Sequence, residues 1–188
     1  MLASSKKITL NAASAVVQVV FTAILYFFLY KYLLQHIGVQ NLGVWSLIMS
    51  FSSIANLANF GITSGLVKFV AEYLSQNDES KIGKLILTSA ITMAILFACM
   101  SMLVYWGAHY FLGYVVDEKY LSVATQILPY SLISLSINAI AGVFTSVLEG
   151  FQKNYLRNAI YIFSGILMFI LVLLLTSTYQ LVGVAMAQ

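Results

Sequence analysis

The chain has 188 residues, 61% of them hydrophobic and 8% charged, with a net charge of +3 and a mean hydropathy of +0.94. A soluble domain carries about 25% charged residues, so this composition excludes a soluble globular protein and marks an all-α membrane protein of several crossings. A β-barrel is excluded as well, because its strands would read as alternating segments of about ten residues. The basic residues are thin and lie between apolar spans, so the net charge does not point to nucleic acid. Cys99 is the single cysteine, in mid-span, which leaves no intrachain disulfide and no metal cluster. The apolar run after Lys6 and Lys7 is too long for a signal-peptide core and has no small-residue cleavage site. It reads as the first crossing.

Helix 1 is expected over about residues 9–34, with Asn11, Ala15, Gln18 and Thr22 on one face. A turn containing His36, Gly38, Gln40 and Asn41 leads to helix 2, over about 42–74. From Tyr32 to Val67 there is no Asp, Glu, Lys or Arg. Ser52, Asn56, Asn59 and Thr63 follow one another there at steps of four, three and four, which stacks them on one helical face. A spanning helix turns such a stripe toward protein or water rather than lipid. About 20 residues cross the hydrocarbon, so the end of helix 2 reaches the headgroup layer, and SQNDESK (75–81) is a hydrophilic loop.

Helix 3, over about 85–112, is the most uniformly apolar and is the expected lipid-facing span. Trp106, His109 and Tyr110 anchor its end. A loop with Asp117, Glu118 and Lys119 precedes helix 4 (about 121–148), which contains Pro129 and carries Ser131, Ser134, Asn138, Gly142, Thr145 and Glu149 in a narrow arc. Helix 5 follows GFQKNYLR and covers about 158–175. Residues 176–180 form a turn, and LVGVAMAQ from 181 reads as the start of a sixth span, as in a piece of a larger protein. Seven bases (Lys6, Lys7, Lys68, Lys81, Lys84, Lys153, Arg157) fall on one side and two (Lys31, Lys119) on the other. The positive-inside rule then places the N-terminus in the cytoplasm.

No catalytic constellation or metal-ligand spacing is present, so the expectation is a non-enzyme with no catalytic residues, no metal and no cofactor. The polar stripes of helices 1, 2 and 4 carry the functional signal. Small and hydroxyl residues also serve as helix–helix glue, but buried amides need partners or water. Gln18, Thr22, Ser52, Asn56, Asn59 and Asn138 are therefore expected around a shared wet cavity suited to hydroxyl-rich ligands. Lys68 lies about 160° around a continuous helix 2 from the stripe, in the headgroup layer. It is either an interfacial anchor or a contact for a lipid-linked phosphate, and Arg157 and Lys153 share that layer. Glu149 is expected to pair with one of these bases; its alternative is an ion-coupling carboxylate.

The segment LGVWSLIMSFSSIANLANFGITSGLVKFVAEY resembles the second-helix region of bacterial polysaccharide flippases, the repeat-unit translocases of the multidrug/oligosaccharidyl-lipid/polysaccharide exporter superfamily. Gly43, Gly61, Lys68, Ala71, Glu72 and Tyr73 fall where that pattern expects them. VLEGFQKNYLRN (147–158) resembles the family's loop between helices 4 and 5, and LVGVAMA the start of its sixth helix. One departure is Asn59, where many members carry an acid, and it weakens ion coupling through this position.

The resemblance implies a two-lobed transporter of which this chain is the N-terminal lobe of about five and a half helices, the C-terminal lobe lying outside it. It also implies alternating access about a central cavity. The implied activity is transfer of an undecaprenyl-diphosphate-linked oligosaccharide between leaflets of the bacterial inner membrane, for cell-surface polysaccharide synthesis. Partners would be the lipid-linked oligosaccharide and membrane lipids, with no nucleic acid, and a coupling H+ or Na+ left open. Lys68 and Arg157 would hold the pyrophosphate at the cytoplasmic mouth. The rival readings are a cation-coupled multidrug exporter of the same superfamily, a non-transporting membrane assembly subunit, and a membrane-bound glycosyltransferase or polymerase. The first would want a carboxylate at mid-depth, and the six acids here lie elsewhere. The second has no need of three polar arcs, and the third lacks a sizeable polar loop with acids.

Overall fold

The computed structural model describes residues 5–57 and 59–188, with the side chains of residues 5, 51–57, 59, 60, 62 and 109 outside the description. Among the described residues six helices follow one another: α1 (Ser5–His36), α2 (Gly38–Leu57), α3 (Asn59–Ser75), α4 (Glu79–Val115), α5 (Glu118–Gly150) and α6 (Asn154–Met186). No strand occurs among the described residues. Four of these helices are long and apolar enough to cross a membrane, α1 from Lys6, α4, α5 and α6. The protein is thus an all-α polytopic membrane protein. Helices α2 and α3 occupy the stretch read as the second crossing, on either side of Ala58.

Each junction has a local cause. Gly38 adopts φ +78°, a left-handed conformation that suits a residue without Cβ, and it reverses the chain between α1 and α2. Asn41 Nδ2 donates to the Ile37 carbonyl there at 2.9 Å. Helix α3 stops at Asn77 (φ +55°), where the Asp78 amide returns to the Tyr73 carbonyl and the Asn77 amide to Leu74. This is a Schellman ending. Asp78 at once caps α4, accepting from the Lys81 amide at 3.0 Å. Gln152 (φ +57°) ends α5 in the same way, with Lys153 bonded back to Leu148 and Gln152 to Glu149. Gln180 (φ 50°, ψ −127°) interrupts α6, and the chain folds back after it. Gly183 lies so close to the last turn before the kink that a Cβ there would stand 2.4 Å from the Leu175 carbonyl oxygen.

Helix α5 is the axis of the molecule and packs against α2, α3, α4 and α6. Its buried residues Ala124, Leu128, Leu132, Leu135, Ala139, Val143 and Val147 recur every three or four positions. That spacing runs an apolar seam along its length. Between membrane helices the driving force is close packing and hydrogen bonding rather than exclusion of water, and α5 shows both. Gly150 lets α3 approach until a Cβ would meet Val70 at 2.6 Å. Toward α4, Ser101 Oγ lies 3.0 Å from Ser136 Oγ, and Ser136 donates to the Leu132 carbonyl. Helix α4 buries Met93, Phe97 and Leu112 and exposes Leu87, Ile91, Ile95, Met102 and Trp106 along one flank. Pro129 lies inside α5 without ending it. Helix α1 packs chiefly on α6.

Candidate functional site

A cavity of about 640 Å³ lies between α1, α5 and α6, with Met49 of α2 and Gln188 also in its wall. Helix α1 supplies Gln18 and Thr22, joined by a hydrogen bond from Gln18 Nε2 to Thr22 Oγ1 at 3.1 Å. Helix α5 supplies Ser131, Ser134, Asn138 and Gly142, four members of the arc read from the sequence. Asn138 Nδ2 donates to the Ser134 carbonyl at 2.9 Å and to Ser134 Oγ at 3.3 Å. With their amino groups so engaged, Gln18 and Asn138 each keep a carbonyl oxygen available as an acceptor. Ser131 is 2% exposed, and its Oγ has no hydrogen-bond partner among the described residues. A buried hydroxyl without a partner is costly, and one in a cavity wall is suited to water or a ligand.

Helix α6 forms a wall that the sequence reading did not anticipate. Tyr161, Ser164, Gly165 and Met168 line the cavity, and their steps of three, one and three place them on one face. That face was legible, but it lies in a long apolar run, and serine and glycine there read equally well as packing residues. Tyr26 of α1 and Tyr161 of α6 bring two aromatic rings to the lining. No charged residue is among the described lining residues. Cavities of about 300–1,000 Å³ suit small-molecule ligands. Amide carbonyls, hydroxyls and aromatic faces together form a neutral surface that accepts hydrogen bonds from hydroxyl groups.

Of the six residues assigned to the cavity from sequence, Gln18, Thr22 and Asn138 come together in it. The side chains of Ser52, Asn56 and Asn59 lie outside the described residues, as does that of His109. The expected polar arc of helix 4 divides. Its first four members line the cavity, while Thr145 Oγ1 donates to the Gly142 carbonyl and Glu149 pairs with Arg157.

Arg157 belongs to a network at the end of the molecule near the α1 N-terminus. Its guanidinium bonds Glu149 and donates to Asn158 Oδ1 from Nε at 3.2 Å and from Nη2 at 3.0 Å. Asn158 is fully buried and donates in turn to Ser14 Oγ of α1 at 2.9 Å. One turn away, Asn11 Nδ2 donates to the Gln152 carbonyl, and Asn11 Oδ1 accepts from the Tyr155 amide. Lys68 stands apart from this network, exposed on α3, with its ammonium 5.8 Å from the Phe69 ring centre. His36 stacks on Tyr32 at the other end of α1, with ring centres 3.9 Å apart.

Comparison with protein families matches residues 14–174 to MatE. The chain belongs to the MatE family. Its members are membrane transporters of the multidrug/oligosaccharidyl-lipid/polysaccharide exporter superfamily rather than enzymes, and the multi-pass helical architecture agrees with that. No curated protein and no solved structure is detectably similar to this MatE chain.

Proposed function

We propose that this MatE protein is a flippase that carries a lipid-linked oligosaccharide, an undecaprenyl-diphosphate sugar chain, across the bacterial inner membrane. The observation that supports this reading is the neutral cavity wall. Among the described residues, Gln18 and Asn138 offer unengaged carbonyl oxygens and Ser131 an unpartnered hydroxyl, and Tyr26 and Tyr161 offer apolar ring faces. Sugar hydroxyls donate to such carbonyls, and the faces of sugar rings pack on aromatic rings. A cationic drug gains most from a carboxylate, and none of the described lining residues is acidic.

The N-terminus lies in the cytoplasm in this reading, so Lys68 and Arg157 sit at the inner headgroup layer. Arg157 is already held by Glu149, and an arriving diphosphate displaces that carboxylate as it binds. The rest of the transporter supplies a second lobe, and rocking of the two lobes exposes the cavity to each leaflet in turn.

The test is flipping of a fluorescent polyprenyl-diphosphate oligosaccharide in proteoliposomes. Replacing Gln18 and Asn138 together by alanine removes two ligand hydrogen bonds of about 0.5–1.5 kcal/mol each. Roughly a tenfold or larger loss of flipping is expected, with dye efflux absent throughout. Efflux of cationic dyes without oligosaccharide flipping selects the drug-exporter reading instead. Full flipping by the double variant removes these residues from the site.

A further inference from the structure

A second concavity, of about 530 Å³, runs along the outside of α1 where it meets α6. Its floor is apolar, with Phe21, Ile24 and Phe28 from α1 and Ile166 and Phe169 from α6. One end is polar and carries Lys31 and Gln35. Tyr32 pins that end shut against α6, its hydroxyl donating to the Leu173 carbonyl at 3.4 Å. From Phe21 to Gln35 the groove extends about 21 Å at 1.5 Å per residue. One leaflet, from midplane through its headgroups, measures roughly 20–22 Å.

Lys31 is the feature that needs an account. It is exposed, and among the described residues it has no carboxylate within ion-pair distance. It also lies at the end of α1 remote from Lys6 and Lys7, on the side with only two bases by sequence count. A lone ammonium at the head of a leaflet-long apolar groove matches the charge and shape of one ligand class.

We infer that this groove is a binding site for a resident anionic phospholipid. One acyl chain lies along Phe21, Ile24, Phe28, Ile166 and Phe169, and the phosphate meets the Lys31 ammonium, with the Gln35 amide beside it. The lining has no carboxylate to receive the ammonium of a zwitterionic headgroup, so the site selects for net negative charge. Phe21 and Leu25 line both this groove and the polar cavity, so the lipid buttresses the α1 wall of that cavity from outside. The inference is independent of what the cavity transports.

The experiment is native mass spectrometry of the protein released from nanodiscs holding equal phosphatidylglycerol and phosphatidylcholine with identical acyl chains. Wild type is expected to retain one phosphatidylglycerol in preference to phosphatidylcholine by roughly fivefold, the scale of one lysine at a membrane surface. Lys31→Gln abolishes the preference, and Ile24→Trp, which fills the groove, lowers retention of both lipids. Lys31 is exposed, so its replacement leaves the packed core intact, and far-ultraviolet circular dichroism checks this. Equal retention of the two lipids by wild type overturns the inference, as does an unchanged preference in Lys31→Gln. Disulfide-linked dimers of a Phe28→Cys variant carrying Cys99→Ser would assign the groove to a second copy of the chain and overturn it too.

Discussion

Asn158 shows how a single polar side chain joins parts of the chain far apart in sequence. It is fully buried, accepts twice from Arg157 and donates to Ser14, 144 residues earlier. Alanine at this position leaves the Ser14 hydroxyl and the guanidinium without those partners in a part-buried setting. A loss of about 1–3 kcal/mol is expected, measured as a lower midpoint of thermal unfolding in detergent, whereas Asn158→Asp restores an acceptor for Arg157 and loses less. Asp78 offers a test by pH. The hydrogen bond from the Lys81 ammonium, and then that from the Lys81 amide, hold its carboxyl below the usual carboxylate range. A depressed folded value means that the cap stabilises above the unfolded pKa of about 3.9 and is lost as pH falls through the folded one. Amide exchange at residues 79–82 is expected to quicken on acidification through that window, beyond its intrinsic pH dependence. Asp78→Asn flattens the response.

At the scale of elements, the central place of α5 depends on close approach by its neighbours. Gly150→Ala puts a methyl group 2.6 Å from Val70 Cγ1 and 3.2 Å from the Val67 carbonyl oxygen. Overpacking of this kind costs about 1–3 kcal/mol, read as a lower thermal midpoint. Val70→Ala in the same chain removes only the Cγ1 contact and leaves Val70 Cβ at 2.7 Å and the carbonyl at 3.2 Å, so it is expected to recover little of the loss. The all-α polytopic class and the four long spans α1, α4, α5 and α6 were legible in the sequence because apolar runs and charged loops alternate plainly, whereas the division of the second crossing into α2 and α3 was not. The arcs on α1 and α5 were legible because Gln18 with Thr22, and Ser131, Ser134 and Asn138, recur at helical spacing. The α6 wall was hidden in a run where serine and glycine look like packing residues. The Asn11, Ser14 and Asn158 contacts were hidden for a different reason. They join residues about 140 positions apart, and a periodicity search sees one helix at a time.

For the whole molecule, the shape follows from one helix being surrounded and one side of it being polar. Helix α5 turns its apolar seam to its neighbours and its amide and hydroxyl arc to the space bounded by α1 and α6. In a membrane such an arc persists where water or a ligand satisfies it. The cavity is therefore expected to be wet. Thiol reactivity reads this directly, because a charged methanethiosulfonate needs a thiolate and apolar surroundings suppress thiolate formation. In a Cys99→Ser background, cysteines at Asn138 and Ser164 on the cavity wall are compared with cysteines at Ile137 and Phe163, which are exposed apolar positions outside the lining. The two cavity positions are expected to react at least about tenfold faster, since each unit rise in thiol pKa removes a factor of ten in thiolate. Equal, slow labelling at all four positions would contradict a wet cavity.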